Sequence, residues 1–217
     1  MKQFLFIGLL LVVGLSACKK DRITANGNII TEHRDLGTFN GIRSSGSTPV
    51  KVFYGDEFKV LVKGSSNLIP YFETRVVGTT LYLGFENINV SRDDIEVEVT
   101  LPAIQKIELS GSGDVNIINT FPVLQNLAVR LSGSGKVEAL SSMAVVQAHI
   151  TISGSGNVNL EPLSALEADL TISGSGNAKL QVKQQLKATI SGSGKVYYRG
   201  NPSLQQEISG SGKVIKF

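Results

Sequence analysis

The chain of 217 residues has no tryptophan, one cysteine, two histidines, two methionines and six prolines. A single cysteine, Cys18, excludes an internal disulfide scaffold and a Cys/His zinc module. With only His33 and His149, little material remains for a histidine-based active site. Aromatics make up 6% of the chain, so its core is built from aliphatic side chains. Charge is also sparse: 21 basic and 18 acidic residues give a net +3, and the basic ones are scattered. This pattern excludes the electrostatic footprint of a nucleic-acid binder. Long apolar runs are missing too, apart from Phe4 to Val13, which is too short to span about 30 Å of hydrocarbon as a helix.

That short run identifies an export segment. Lys2 precedes it, and Leu15-Ser16-Ala17-Cys18 follows it, a lipobox-like site placed directly before the only cysteine. Residues 1–17 read as a lipoprotein signal peptide, with Cys18 as the acylated N-terminus of the mature chain. Several acyl chains at about 0.8 kcal/mol per buried methylene make a stable anchor, where one chain is marginal. Residues 18–28 are polar and read as a lipidated tether. Lys19, in place of an aspartate after the cysteine, favours the outer membrane of a Gram-negative cell envelope.

Glycine is the residue in excess, with 23 copies. Average usage near 7% would give about 15. Six copies of Ser-Gly-Ser-Gly, starting at Ser110, Ser132, Ser153, Ser173, Ser191 and Ser209, account for the surplus. Their spacings of 22, 21, 20, 18 and 18 residues are the period of a solenoid. Each tetrad is framed by strand-like alternation, as in Ile107-Glu108-Leu109 before it and Val115-Asn116-Ile117 after it. Over the six repeats the inward positions give 24 non-glycine sites, of which 22 are apolar, with Gln206 and Lys216 as exceptions. The outward positions give 18 non-serine sites, of which 16 are polar. An average composition does not separate in this way. Paired glycines on the inward side require a sharp bend or a close backbone approach. The tetrad is therefore a bend in the wall of a coil, aligned with its neighbours about 4.8 Å away.

The expected fold is all-β: a right-handed parallel β-helix of about six to eight rungs with an expanded β-rich N-terminal part. Residues 29–217 form one domain, divided into expanded rungs and hairpins over 29–102 and six tetrad repeats over 103–217. Ile42 to Val52 aligns with the repeat, with Thr48 at the second glycine. Glu73 to Val77 and Leu81 to Phe85 read as a hairpin. The N-terminal part covers one open end of the solenoid. Pro102, Pro122, Pro162 and Pro202 fall in linking stretches where no ladder donor is needed.

Phe39-Asn40-Gly41-Ile42, the Ser-Gly-Ser strand, the Gly55-Asp56-Glu57 turn, Asn67-Leu68-Ile69-Pro70 and the serial tetrads together resemble the auto-transporter adhesin, head GIN domain family. The resemblance covers residues 36–217. It implies a secreted or lipid-anchored β-helical protein of Gram-negative bacteria, and it brings no catalytic residue.

Stacked rungs align outward residues into polar columns. Ser110, Ser112, Asn157, Asn159 and Asn177 are the candidate binding face, able to meet glycan or another envelope or host surface ligand through hydroxyls and amides. The same residues equally suit a solvated sheet whose side chains pair along a ladder. Enzymatic chemistry on a β-helix needs converging carboxylates or an acidic calcium site. The acids here are dispersed, with Asp93-Asp94 and Asp56-Glu57 suited to loops. His149 falls in a linking stretch. The sequence points to a non-enzymatic envelope protein without cofactor or metal, in adhesion or surface interaction. A structural envelope protein and a carbohydrate-active enzyme are the alternatives.

Overall fold

A computed structural model describes residues 22–217. Among these, the regular elements are all strands apart from one 3-10 turn at Ile69–Tyr71, and there is no α-helix. The strands stack as a parallel β-solenoid with two principal walls that meet at the tetrads. The wall before the tetrad contains Gly41–Gly46, Lys106–Gly111, Leu124–Gly133, Met143–Gly154, the later parts of Asn157–Gly174 and Asn177–Gly192, and Ser203–Gly210. The wall after it begins with Val50–Tyr54, Asp114–Ile117 and Lys136–Ala139 and ends with Lys195–Arg199 and Lys213–Lys216. Each wall therefore stacks seven strands. Register is strict, with serine over serine and glycine over glycine from Ser45 and Gly46 to Ser209 and Gly210.

The tetrad is the corner, and hydrogen bonding explains its composition. At the first five tetrads two successive amides converge on one carbonyl of the coil below, and at the sixth Gly212 N alone donates to Gly192 O. Ser155 and Gly156 both donate to Gly133 O at 3.0 Å, and Ser175 and Gly176 donate to Gly154 O at 2.9 and 3.0 Å. To aim both amides along the stack, the first glycine takes a φ between +118° and +124° in all six tetrads, a region that L side chains rarely enter. The neighbouring coil also lies too close for a side chain. A Cβ at Gly174 would sit 2.5 Å from Gly154 O, and one at Gly156 would sit 2.6 Å from both Gly135 O and a Leu131 methyl. The second glycine is buried and faces inward, as the alternation predicts. At the first glycine, the excluded direction is along the stack, toward the coil below, rather than into the core.

The apolar residues form one continuous core from Phe39 to Val196. Every inward aliphatic position of the tetrad repeats is buried up to Val196, and Ile208 and Val214 in the last coil are only partly covered. Core width explains the shrinking repeat. Loops at residues 118–123 and 140–142 separate the walls in the earlier coils, whereas Asn157–Gly174 and Asn177–Gly192 run as continuous strands through the second bend. The tighter coils fill their interior with small side chains, including Ala165, Ala168, Ala178 and Ala188. Pro102, Pro122 and Pro202 lie outside strands as expected; Pro162 falls inside one, at a break in register between Leu160 and Ser164.

The expanded N-terminal part closes one end of the core. Phe72–Val77 and Thr80–Phe85 form the expected hairpin, and its second strand stacks parallel to Gly41–Gly46. On the other wall, Ile29–Arg34, Lys59–Ser65 and Glu96–Leu101 pair antiparallel in succession, and the last runs parallel to Val50–Tyr54. Asp94 ties this cap together: its carboxylate accepts from Ser65 N at 2.9 Å and Ser65 Oγ at 2.5 Å. Part of the segment expected as tether is docked, because Arg22–Thr24 pairs with Asn89–Ser91 and Asn26 hydrogen-bonds Asn67 and Ser66. Backbone partners in a mid-chain loop leave no sequence periodicity to anticipate this. Cys18 and the signal segment lie outside the described residues.

The corner geometry makes a direct prediction. Gly174→Ala combines a φ of +122° with the clash on Gly154 O and is expected to cost about 3 kcal/mol. Gly78→Ala has a φ of +61° but nothing within 4 Å of its Cβ, and is expected to cost about 1 kcal/mol. Urea unfolding of the two variants checks this; equal losses would show that the corner does not depend on inter-coil contact.

Candidate ligand-binding face

Two outward faces flank the corner, and they use their polar groups differently. On the wall after the tetrad, side chains bond to one another along the stack. Asn177 Nδ2 donates to Asn157 Oδ1 at 2.9 Å, and Asn159 Nδ2 donates to Glu138 Oε1 at 2.8 Å. Lys136 pairs with Glu138, and Lys179 and Arg199 pair with Glu161 at 2.6 and 3.5 Å. The cross-strand position of Lys136 is occupied by Asp114, yet its ammonium goes to Glu138 two residues along its own strand.

The wall before the tetrad carries columns whose hydroxyls are left to solvent, apart from Ser45 Oγ, which donates to Leu83 O at 3.4 Å. Two residues before each tetrad, the register stacks Tyr82, Arg43, Glu108, Arg130, Thr151, Thr171, Thr189 and Glu207. Beside it run Ser45, Ser110, Ser132, Ser153, Ser173, Ser191 and Ser209. In three consecutive coils the sequence is Thr-Ile-Ser: the isoleucine is buried and its two neighbours point outward. Among the described residues, the side chains of Thr151, Thr171, Thr189, Ser153, Ser173 and Ser191 make no intramolecular hydrogen bond. Successive coils set these hydroxyls about 4.8 Å apart along the stack, and the two columns lie roughly 6.7 Å apart along a strand.

Depressions flank this array. One, of about 160 Å³, has Ala148 and Ala168 between a rim of Gln147, Glu167 and Gln185 and a rim of His149, Asp169 and Lys187. A broader basin of about 320 Å³ lies toward the N-terminal end, bounded by Arg43, Glu108 and Arg130 and by Ser110, Ser132 and Ser153. His149 thus stands on a wall strand, Met143–Gly154, rather than in a linking stretch. The strands lengthen as the coils tighten and absorb that stretch.

The five residues singled out from the sequence do not share one surface. Ser110 belongs to the wall before the corner, Ser112 to the corner itself, and Asn157, Asn159 and Asn177 to the wall beyond it. The asparagines are engaged in the inter-coil ladder, the pairing role that stacking allows. The threonine column and the Arg43–Glu108–Arg130 cluster were the missed features. Aligning all coils on the tetrad and reading the position two residues upstream would have found them. Asp93 and Asp94 serve the cap: Asp93 accepts from Thr48 Oγ1 at 3.2 Å and from Ile95 N at 3.0 Å. Among the described residues, no three His, Cys, Asp or Glu side chains are grouped to hold a metal ion.

Comparison with known proteins agrees with this architecture. A family model described as "Putative auto-transporter adhesin, head GIN domain" matches residues 38–202. A crystal structure of a putative adhesin from Bacteroides fragilis superposes with a TM-score of 0.74 at 20% identity, covering 90% of this chain and 100% of the other. A putative adhesin from Parabacteroides merdae gives a TM-score of 0.53 at 20% identity, covering 91% and 99% of the two chains. A putative lipid binding protein from Parabacteroides distasonis gives 0.54 at 21% identity, covering 91% and 100%. No curated protein matches.

The ladder beyond the corner makes the fold sensitive to acid. The hydrogen bond from Lys136, assisted by Asn159, holds the Glu138 carboxyl below its ordinary range against the opposing effect of burial. A carboxyl lowered in the folded state stabilises the fold above its unfolded value, and that stabilisation is lost as pH falls through the folded one. Glu161 beside Lys179 and Glu86 beside Arg75 are lowered in the same way. Stability is therefore expected to fall on acidification below about pH 4. Glu138→Gln should flatten that fall in urea titrations across pH; an unchanged slope would remove Glu138 from the account.

Proposed function

The chain belongs to the auto-transporter adhesin, head GIN domain family, and on that premise we propose that it is a non-catalytic adhesion head that binds a polymeric surface ligand, such as a glycan. The outward face of the wall before the tetrads is the binding surface. The observation that carries this reading is the division of labour between the two walls. Beyond the corner Lys136, Asn157, Asn159, Asn177, Lys179 and Arg199 are engaged by one another or by Glu138 and Glu161, whereas the hydroxyls of Thr151, Thr171, Thr189, Ser153, Ser173 and Ser191 stay available to a partner. A parallel ladder fixes these groups in advance, so binding immobilises little of the protein. Weak contacts repeated at a fixed spacing suit a repeating polymer, because each engaged unit raises the effective concentration of the next. Two acids of the same wall work as ion-pair partners: Glu108 faces Arg130 at 3.3 Å, and Asp169 faces Lys187 at 4.0 Å.

In this reading Cys18 carries the lipid that holds the head at the outer membrane of a Gram-negative envelope, following the lipobox and Lys19. A membrane anchor at one end and a rigid stack beyond it suit a module that presents a side face to its surroundings.

Two experiments test the proposal. Replacing Thr151, Thr171 and Thr189 with valine removes three hydroxyls while keeping shape and strand preference. Against immobilised dextran, polygalacturonate, dextran sulfate and peptidoglycan, this variant is expected to bind at least about tenfold more weakly than the parent to the polymer the parent prefers. Asn157→Ala with Asn177→Ala, on the other wall, should leave binding unchanged. Absence of binding to every polymer, or equal binding by the valine variant, overturns the reading. For the anchor, Cys18→Ala is expected to move the protein from the membrane fraction to the soluble one; continued sedimentation with membranes would contradict it.

A further inference from the structure

The basin at the N-terminal end of the binding wall has a chemistry different from the hydroxyl array. Glu108 stands in the middle coil, its side chain 16% exposed, and three cations surround it. Arg130 Nη1 lies 3.3 Å from Oε1, Arg43 Nη1 lies 3.9 Å from Oε2, and Lys106 Nζ lies 3.9 Å from Oε1. Register places Arg43 one coil below Glu108 and Arg130 one coil above it. Only the Arg130 contact is a hydrogen bond. One carboxylate thus faces three cations, leaving an excess of two positive charges and most guanidinium donors directed elsewhere. Those guanidinium groups are also the accessible ones, 48% exposed for Arg43 and 69% for Arg130.

The surroundings add donors. Ser110, Ser132, Ser153 and Thr151 line the basin, and among the described residues none of their hydroxyls is bonded within the protein. The adjoining hairpin contributes Glu73 and Glu86, but both are engaged by Arg75, at 3.3 and 2.7 Å. Tyr82 lies under Arg43 and Arg75, with guanidinium carbons 5.5 and 4.9 Å from the ring centroid. Such stacking holds a guanidinium in place while leaving its edge free to donate. Two arginines that can each offer a two-pronged donor, with hydroxyls between them, form a receptor for an oxyanion.

We propose that this basin is an anion subsite of the adhesion face, and that the ligand is an acidic polysaccharide whose carboxylate or sulfate groups are held between Arg43 and Arg130. The inference rests on the adhesion reading and adds the ligand's charge to it. Glu108 has a second part in the subsite: it competes with the incoming anion for the guanidinium groups.

Binding of the purified head to polygalacturonate, dextran sulfate and neutral dextran tests this at two salt concentrations. Arg43→Ala with Arg130→Ala is expected to weaken binding to an acidic polymer by about tenfold or more, the loss of charge-assisted hydrogen bonds. Glu108→Gln should bind more tightly and show a steeper fall with salt. Arg43→Lys with Arg130→Lys should retain part of the affinity, because charge is kept and the fork is lost. The two acidic polymers separate a carboxylate ligand from a sulfate one, and inorganic sulfate as competitor separates a bare anion from a polymer. An unchanged urea midpoint shows that each variant is folded. Equal binding of neutral dextran, or an arginine double variant that binds like the parent, overturns the anion subsite while leaving the adhesion reading intact. If no polymer binds, both fall together.

Discussion

Two amides on one carbonyl, repeated at five successive corners, are the contact on which the rest of this protein depends. In a parallel solenoid a slip of two residues keeps the apolar set inward, so alternation alone does not fix the register of one strand on its neighbour. The corner does. Ser155 and Gly156 on Gly133, followed by Ser175 and Gly176 on Gly154, form a backbone chain that admits one register only. A slip by one residue would bring a serine Cβ onto the carbonyl below and leave a pair of amides without an acceptor. A slip by two would place Leu or Ile side chains at the bend. The glycines are therefore a registration device, and their conformational freedom is the means by which it works.

From a fixed register follow both the core and the surface. Inward columns put Leu109 over Ser44 and under Leu131, then Ile152, Ile172 and Ile190, so each coil buries its neighbours' methyl groups. The interior of a two-walled coil is narrow, which accounts for the poverty in aromatics. The packed ring pairs, Phe39 with Phe58, Tyr54 with Phe121 and Phe72 with Phe85, lie in or beside the expanded N-terminal part. In the coils Asn157–Gly174 and Asn177–Gly192 the loop between walls disappears, and alanine takes positions that hold isoleucine, leucine or valine in wider coils. Ala178 stacks on Val158, and Ala188 on Leu170.

These relations set how far the sequence could be read. Period-two alternation through the glycines identified the buried set, and the tetrad spacing identified the stacking, because both are repeated signals that average over irregularities. The cap shows the opposite limit. Its antiparallel strands, the docking of Arg22–Thr24 on Asn89–Ser91 and the tie between Ser65 and Asp94 each occur once. They pair segments tens of residues apart without any pattern in common. The binding face lies between these cases. Its columns are periodic, but the asparagines after the tetrad looked as suitable as the threonines before it. What separated them was hydrogen-bond bookkeeping between coils, a property of side-chain reach and of the neighbour's identity. Asn159 finds Glu138 below it, whereas Thr151, Thr171 and Thr189 make no side-chain bond to the residues above and below them.

That difference connects folding to function. Asn159, Asn177, Lys136 and Lys179 on the ladder wall have partners in place, and a ligand would have to displace them. A threonine hydroxyl on the other wall exchanges one water for one ligand oxygen while its backbone stays pinned by the corner two residues away. The same pinning sets Arg43 and Arg130 on either side of Glu108, two coils or roughly 9.6 Å apart. Neither arginine needs the glutamate to stay folded, since both are held by strands and largely exposed. Glu108 therefore acts as a competitor for the guanidinium groups more than as a support of the coil. A solenoid built this way can vary its outward columns coil by coil, hydroxyl in one stretch and charge in another, without disturbing the glycine corner that holds them in register.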